Sequence, residues 1–142
     1  NSAEGLIRPK CKLGISDRMI EFIHVSKEKL EYAPYYSKFY NKLKDYMMFY
    51  QPTIYVWGKN DYLMIDKSYK LHNVKPITER KNFVNLMQII KNYYGIKNDI
   101  GLYSAFEFLG AKPPMEVQDH NALHDAQATL EVFHLFENEI NK

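Results

Sequence analysis

Apolar residues return along this chain in two rhythms, one near the helical period and one of short unbroken runs. In "SDRMIEFIHVS" (16–26), Met19, Ile20 and Ile23 share a face, and Ser16 or Asp17 stands where a short helix needs its cap. "PYYSKFYNKLKDYMMFY" (34–50) sets Tyr36, Phe39, Tyr40, Leu43, Tyr46 and Met47 in one stripe, with Pro34 suited to the first helical turn. Lys38, Lys42 and Lys44 fall on the opposite, solvated side. "TIYVWG" (53–58) is β-branched and aromatic and closes on Gly58, which predicts a buried strand. "NDYLMIDKSYKLHN" (60–73) predicts a helix with Asn60 or Asp61 at its start. "KNFVNLMQIIKNYYG" (81–95) reads as a short strand running into a helix that Gly95 ends. "GLYSAFEFLG" (101–110) is a further helix, stopped by Gly110. After the loop "AKPPMEVQ", Ala126, Leu130, Phe133 and Ile140 mark the buried face of a final helix. "GLIRP" (5–9) looks like the end of a strand stopped by Pro9.

Strands that alternate with helices predict an α/β layer fold containing parallel pairs. The strands are few, however, and too short to floor all these helices. A single domain over 1–142 with part of its sheet unaccounted for is the expectation.

Composition narrows the class. Apolar residues make up 46% and aromatics 15%, too rich for a disordered chain. A formal charge of +2 argues against a polyanion-coating protein and leaves room for a local basic groove. Cys11 is the only cysteine, so neither an internal disulfide nor a thiolate metal cage forms, which fits a reducing, cytoplasmic setting. No run of about 18 apolar residues and no basic-then-apolar leader occurs, so neither a membrane span nor a signal peptide is expected.

Chemistry concentrates in "DHNALHDA", residues 119–126. A helix start needs one capping side chain, yet two Asp and two His crowd this one. His120 and Asp125 are five apart, about 500° on a regular helix and so roughly 140° off a common face. They converge only if His120 precedes the helix and Asp125 lies in its first turn, with Asn121 or a neighbour as cap. Such a loop imidazole beside a helix-borne carboxylate makes an acid/base and metal corner; the plain alternative is ordinary capping. "YVWGKND" (55–61) is the second candidate, because ligands of open α/β sheets gather where strands end. Asp61 as a simple helix cap is again the alternative. Trp57 either walls a site for a terminal base or packs in the core. Lys59 and Asn60 suit a phosphate contact. His124 falls at a solvent-facing position, and His24, His72 and His134 lack partners at ligand spacing. The aromatic and lysine-rich helix 34–50 has a base-stacking composition, although its periodicity favours core packing.

Taken together, these segments resemble the DEDDh family of 3′–5′ exonucleases, of ribonuclease-H-like fold. "HNALHDA" looks like that family's His-x-Ala-x-x-Asp-Ala segment, and "WGKND" like its second motif in the subgroup with Trp-Gly before the Asp. "LIRP", "HVSKEKLEYAPYYSKFY" and "FVNLMQIIKNYYGIKNDIGLYSAFEFLG" are similar to the segments around them, with Asn85 where Asp is commoner. The resemblance implies a mixed sheet flanked by helices, Asp61 and Asp125 as metal ligands, His120 as general base, and Trp57 against the substrate. It also implies two divalent cations, Mg²⁺ or Mn²⁺, about 3.5–4 Å apart, and the 3′ end of single-stranded RNA or DNA as partner. Imidazole titrates near neutral pH and suits the base.

One part of the pattern is missing. The family's first strand carries Asp-x-Glu, and "SAE" (2–4) has the spacing but Ser2 in place of Asp. About 30 residues of strand and turn are expected elsewhere, upstream or from another polypeptide, so a protein partner or homodimer stays open. The competing reading is a binding or regulatory module that kept the fold and lost catalysis.

Overall fold

The computed structural model describes residues 4–10 and 14–142. Cys11 and Ser2 lie outside the described residues. Seven α-helices and two strands follow in the order α1 (Asp17–Ile23), α2 (Lys27–Glu31), α3 (Tyr36–Tyr50), β1 (Ile54–Val56), α4 (Asn60–His72), β2 (Phe83–Asn85), α5 (Leu86–Tyr94), α6 (Leu102–Phe108) and α7 (Ala122–Ile140). Side-chain caps set several starts: Ser16 accepts from the Met19 N–H, and Ser26 from the Lys29 N–H. Gly95 ends α5 at φ 67°, a left-handed position that favours glycine. Pro34 stands outside α3, whose N-cap is Tyr35.

β1 and β2 pair in parallel, Ile54 with Phe83, Tyr55 with Val84 and Val56 with Asn85. A parallel pair needs a crossover, and α4 with the loop after it supplies one. Helices thus flank a small parallel sheet, a partial ribonuclease-H-like arrangement. Residues 5–9 form no strand, contrary to expectation. A strand exists only by pairing, and the Arg8 N–H bonds the Pro34 carbonyl at 2.9 Å rather than a neighbouring strand.

The main core joins α5, α6 and α7 through Leu86, Ile90, Leu102, Ala105, Phe106, Ala128, Val132 and Phe136. The buried stripe of α7 differs from the predicted one. Ala128, Thr129, Val132 and Phe136 face inward, whereas Ala126 and Ile140 are exposed and Leu130 is 56% exposed. Phe133 is half-buried against Tyr55, ring centroids 5.0 Å apart. Counting back by helical steps from Phe136, Val132 and Thr129 brings Asp125 to the head of the buried stripe, which is where it lies, half-buried. In α3, Tyr36 is buried and Phe39, Tyr40, Leu43 and Met47 are half-buried, but Tyr46 is 53% exposed. A second layer forms where Tyr40 meets Tyr69 edge-on and the Tyr69 hydroxyl bonds that of Thr78 at 2.7 Å. No helix among the described residues is long and apolar enough to cross a membrane.

Lys91 is charged yet only 7% exposed, and its Nζ donates to Asp99. That hydrogen bond, with the lysine's charge, holds the Asp99 carboxyl below the usual carboxylate range. A depressed folded value contributes stability above the unfolded Asp value of about 3.9 and loses it as pH falls through the folded one. Thermal melts at pH 7 and at pH 3 should therefore show a smaller drop for Asp99→Asn than for the wild type. An equal drop would place the acid lability elsewhere.

Candidate active site

The site is built where β1 ends. Val56 is buried, and the chain then turns at Gly58, whose φ of 90° is available to glycine at little cost. One side chain fixes this turn. Asn85 Oδ1 accepts the Gly58 N–H at 3.0 Å and the Gln88 N–H at 3.2 Å, so it ties the β1 turn to the end of β2 while capping α5. Trp57 Nε1 donates to the Ile100 carbonyl at 3.0 Å, and its half-buried ring packs against the main core. Asn85→Ala should cost about 1–3 kcal/mol in urea unfolding, from the lost cap and the orphaned Gly58 N–H. Asn85→Asp keeps the accepting oxygen and should recover most of that loss; equal destabilisation by both variants would discount the tie.

Asp61 follows in the first turn of α4. The N-cap is Lys59, which makes no side-chain cap bond, so neither Asn60 nor Asp61 is the cap that the sequence predicts. Partial desolvation raises the Asp61 pKa, its own N–H opposes that rise, and the negative charge of Asp125 adds to it. Asp125, 64 residues further along the chain, therefore acts on Asp61 as a like charge. Asp125 reaches this place from the first turn of α7, where Asn121 caps by accepting from Leu123 N at 2.9 Å and His124 N at 3.2 Å. Gln118 Nε2 donates to Asp125 Oδ1 at 2.7 Å and orients the carboxylate.

The remaining polar groups of the corner are already engaged. Asp119 accepts from Asn121 N at 3.0 Å and lies 2.7 Å from His124 Nδ1, and both contacts hold its pKa low. His120 meets an aromatic ring of α1. Its ring stacks on Phe22 of α1 at 4.8 Å, its backbone is left-handed at φ 56°, and no hydrogen bond or ion pair among the described residues joins it to Asp61 or Asp125. A left-handed non-glycine residue is strained, a cost that clusters at functional positions. His24, His72 and His134 are scattered: a helix C-cap, a ring stacked on Tyr36, and a 3.5 Å contact to Glu137. Lys59 and Asn60 are exposed beside the turn.

Three participants escape a sequence reading. Gln118 and Asn85 look like loop polars until their partners are known. Tyr103 presents a helical aromatic, but its buried hydroxyl has no hydrogen-bond partner, and burial followed by Asp119, Asp125 and Glu131 raises its pKa.

Carboxylate oxygens are the hard donors that Mg²⁺ and Mn²⁺ prefer, and a cation would relieve the charge that Asp125 imposes on Asp61. The donor chemistry therefore fits, while no group of three His, Cys, Asp or Glu able to hold a metal occurs among the described residues.

Sequence comparison gives the class of the protein. Residues 1–133 match the RNase T family, described as exonuclease, and the chain belongs to that family. No curated protein matches the sequence. Among solved structures it is similar to the nuclease domain of 3′hExo, a DEDDh family member, bound to rAMP, with TM-score 0.79 and 17% identity over 93% of this chain and 70% of that one. A structure of 3′-end-specific recognition of histone mRNA stem-loop by 3′-exonuclease is similar at TM-score 0.74 and 17% identity, covering 94% of this chain and 49% of that chain. Full-length 3′-exonuclease follows at TM-score 0.73 and 17% identity, covering 93% and 46%. The chain thus has the fold of DEDDh 3′–5′ exonucleases and spans under half the length of the last two.

Proposed function

We propose that this chain carries one half of the reaction corner of a metal-dependent 3′–5′ exonuclease acting on the 3′ end of single-stranded nucleic acid. The observation that supports it is that Asp61, part-desolvated, also feels the negative charge of Asp125, two carboxylates carried on different helices with neither spent on capping its helix. In this reading both hold divalent cations, Mg²⁺ or Mn²⁺, which supply the positive charge that stabilises attacking and leaving oxygens. Gln118 fixes the angle of Asp125. His120 swings off Phe22 when substrate arrives and takes the proton from the attacking water, as an imidazole can near pH 7. Trp57, held through its indole N–H, walls the pocket for the terminal base. Two more carboxylates complete the site, carried on a strand along the edge of β1 that β2 leaves unpaired. RNA is favoured over DNA, because one similar structure holds rAMP and another concerns an mRNA stem-loop.

A 5′-labelled single-stranded RNA incubated with the full-length protein and Mn²⁺ should give a ladder that shortens from the 3′ end and vanishes with EDTA. A second reading, an exonuclease fold kept for binding alone, draws support from His120 resting on Phe22. Tight binding of the same RNA without any cleavage would select it.

A further inference from the structure

A cavity of about 390 Å³ opens between the segment 4–10, the start of α3 and the end of α4, and it shares no residue with the carboxylate corner. Its polar lining is Arg8, Lys10, Tyr35, Tyr36, Ser37 and His72, with no Asp or Glu. Among the described residues, two buried donors there lack partners, Arg8 Nε and the hydroxyl of Tyr36. Buried polar groups are ordinarily satisfied, so two such donors on one cavity call for an acceptor inside it. Neither donor can turn into an acceptor anion. A guanidinium does not deprotonate, and burial, followed by Tyr69 and Tyr40, pushes the Tyr36 phenol up to about 12.

The donors are also held in place. Tyr36 is 6% exposed, and its ring stacks on His72 at 4.0 Å and 9°. Arg8 is fixed through its backbone N–H to Pro34 and through Nη1 to the Tyr35 hydroxyl at 2.9 Å, with its guanidinium carbon 4.7 Å from the centre of the Tyr35 ring. Lys10 Nζ spends one proton on the Leu71 carbonyl at 3.0 Å. Among the described residues neither Arg8 nor Lys10 enters an ion pair.

We propose that this cavity binds the phosphate of a nucleotide, free or at a chain end. The Arg8 and Lys10 cations, in no ion pair among the described residues, and the fixed Tyr36 hydroxyl match a phosphate monoester, whose three terminal oxygens accept from several directions. The volume falls in the range of small-molecule pockets and exceeds what a phosphate alone fills. Tyr35, 66% exposed, offers a ring face beside the cations on which a base can stack.

Calorimetric titration of the full-length protein in EDTA tests this with three probes: inorganic phosphate, uridine 5′-monophosphate and a 5′-phosphorylated trinucleotide. All three should bind, the nucleotide more tightly than phosphate. A trinucleotide that binds at least as well as the mononucleotide identifies a chain end as the source, and one that binds more weakly identifies the free nucleotide. Tyr36→Phe keeps the ring and removes only the hydroxyl, and should weaken phosphate binding about tenfold. Arg8→Gln should weaken it by about tenfold or more. Asp125→Asn should leave it unchanged, which separates this cavity from the exonuclease reading. The proposal fails if phosphate gives no binding heat at millimolar concentration, if both cavity variants bind like the wild type, or if Asp125→Asn abolishes binding.

Discussion

Asp125→Asn is expected to lower Mn²⁺-dependent cleavage of single-stranded RNA by at least about a thousandfold, the order an enzyme loses with one aimed charge-stabilising group. The amide is nearly isosteric and keeps an oxygen for Gln118 Nε2, so the start of α7 should hold its shape. Only the negative charge goes. In metal-free protein that charge is a burden, because it raises the pKa of an already part-desolvated Asp61. A raised carboxylate value means that the ionised form is disfavoured in the folded state, so neutralising one partner at pH 7 should stabilise slightly. The gain is small because Asp61 keeps a face in water. The wild type should melt higher on adding Mn²⁺, and the variant should not. Asp61→Asn should behave alike, and the double variant should lose little more activity than either single one, since the two act as a unit. Wild-type cleavage by a folded Asp125→Asn protein would remove Asp125 from the mechanism.

How much of this was legible in the sequence depends on whether the signal was local. Caps and stops are local, and Ser16, Asn121 and Gly95 stand at the positions predicted for them. The β-branched run 53–58 likewise yields β1 where expected. The face of α7 was not legible. Its apolar residues cover more than one stripe, so Ala126–Leu130–Phe133 and Ala128–Val132–Phe136 satisfy the helical period equally. What α6 offers as a partner decides between them. "GLIRP" has strand composition, but a strand also needs a neighbour to pair with. At the proposed site, Asp61, His120 and Asp125 are singled out by the resemblance of local motifs. The tie of Asn85 to Gly58 and the stacking of His120 on Phe22 join residues 27 and 98 positions apart, and the aim of Gln118 at Asp125 crosses from loop to helix over seven, so no periodicity encodes them.

Phe106→Ala should cost about 3–5 kcal/mol, a large share of the 5–15 kcal/mol that holds a typical domain. Phe106 is 2% exposed at the contact of α6 with α7, in one cluster with Val132, which is fully buried, and Phe136. Truncation leaves a void that rigid helical neighbours close only in part, and void volume sets the size of the loss. Phe106→Leu fills most of that volume and should cost about 1–2 kcal/mol. Phe49→Ala, at a side chain 81% exposed on α3, should change stability by less than about 0.5 kcal/mol. Urea unfolding of the three variants measures the series, and equal losses at Phe106 and Phe49 would mean the core is not where the packing puts it. The same void should reach the chemistry. Asp125 heads the stripe that Val132 and Phe136 press against α6, so a helix that rocks at its middle swings its first turn. Phe106→Ala at a temperature where it remains folded should therefore lose kcat as well as stability, whereas loss of the exposed Phe49 ring leaves the carboxylates where they are.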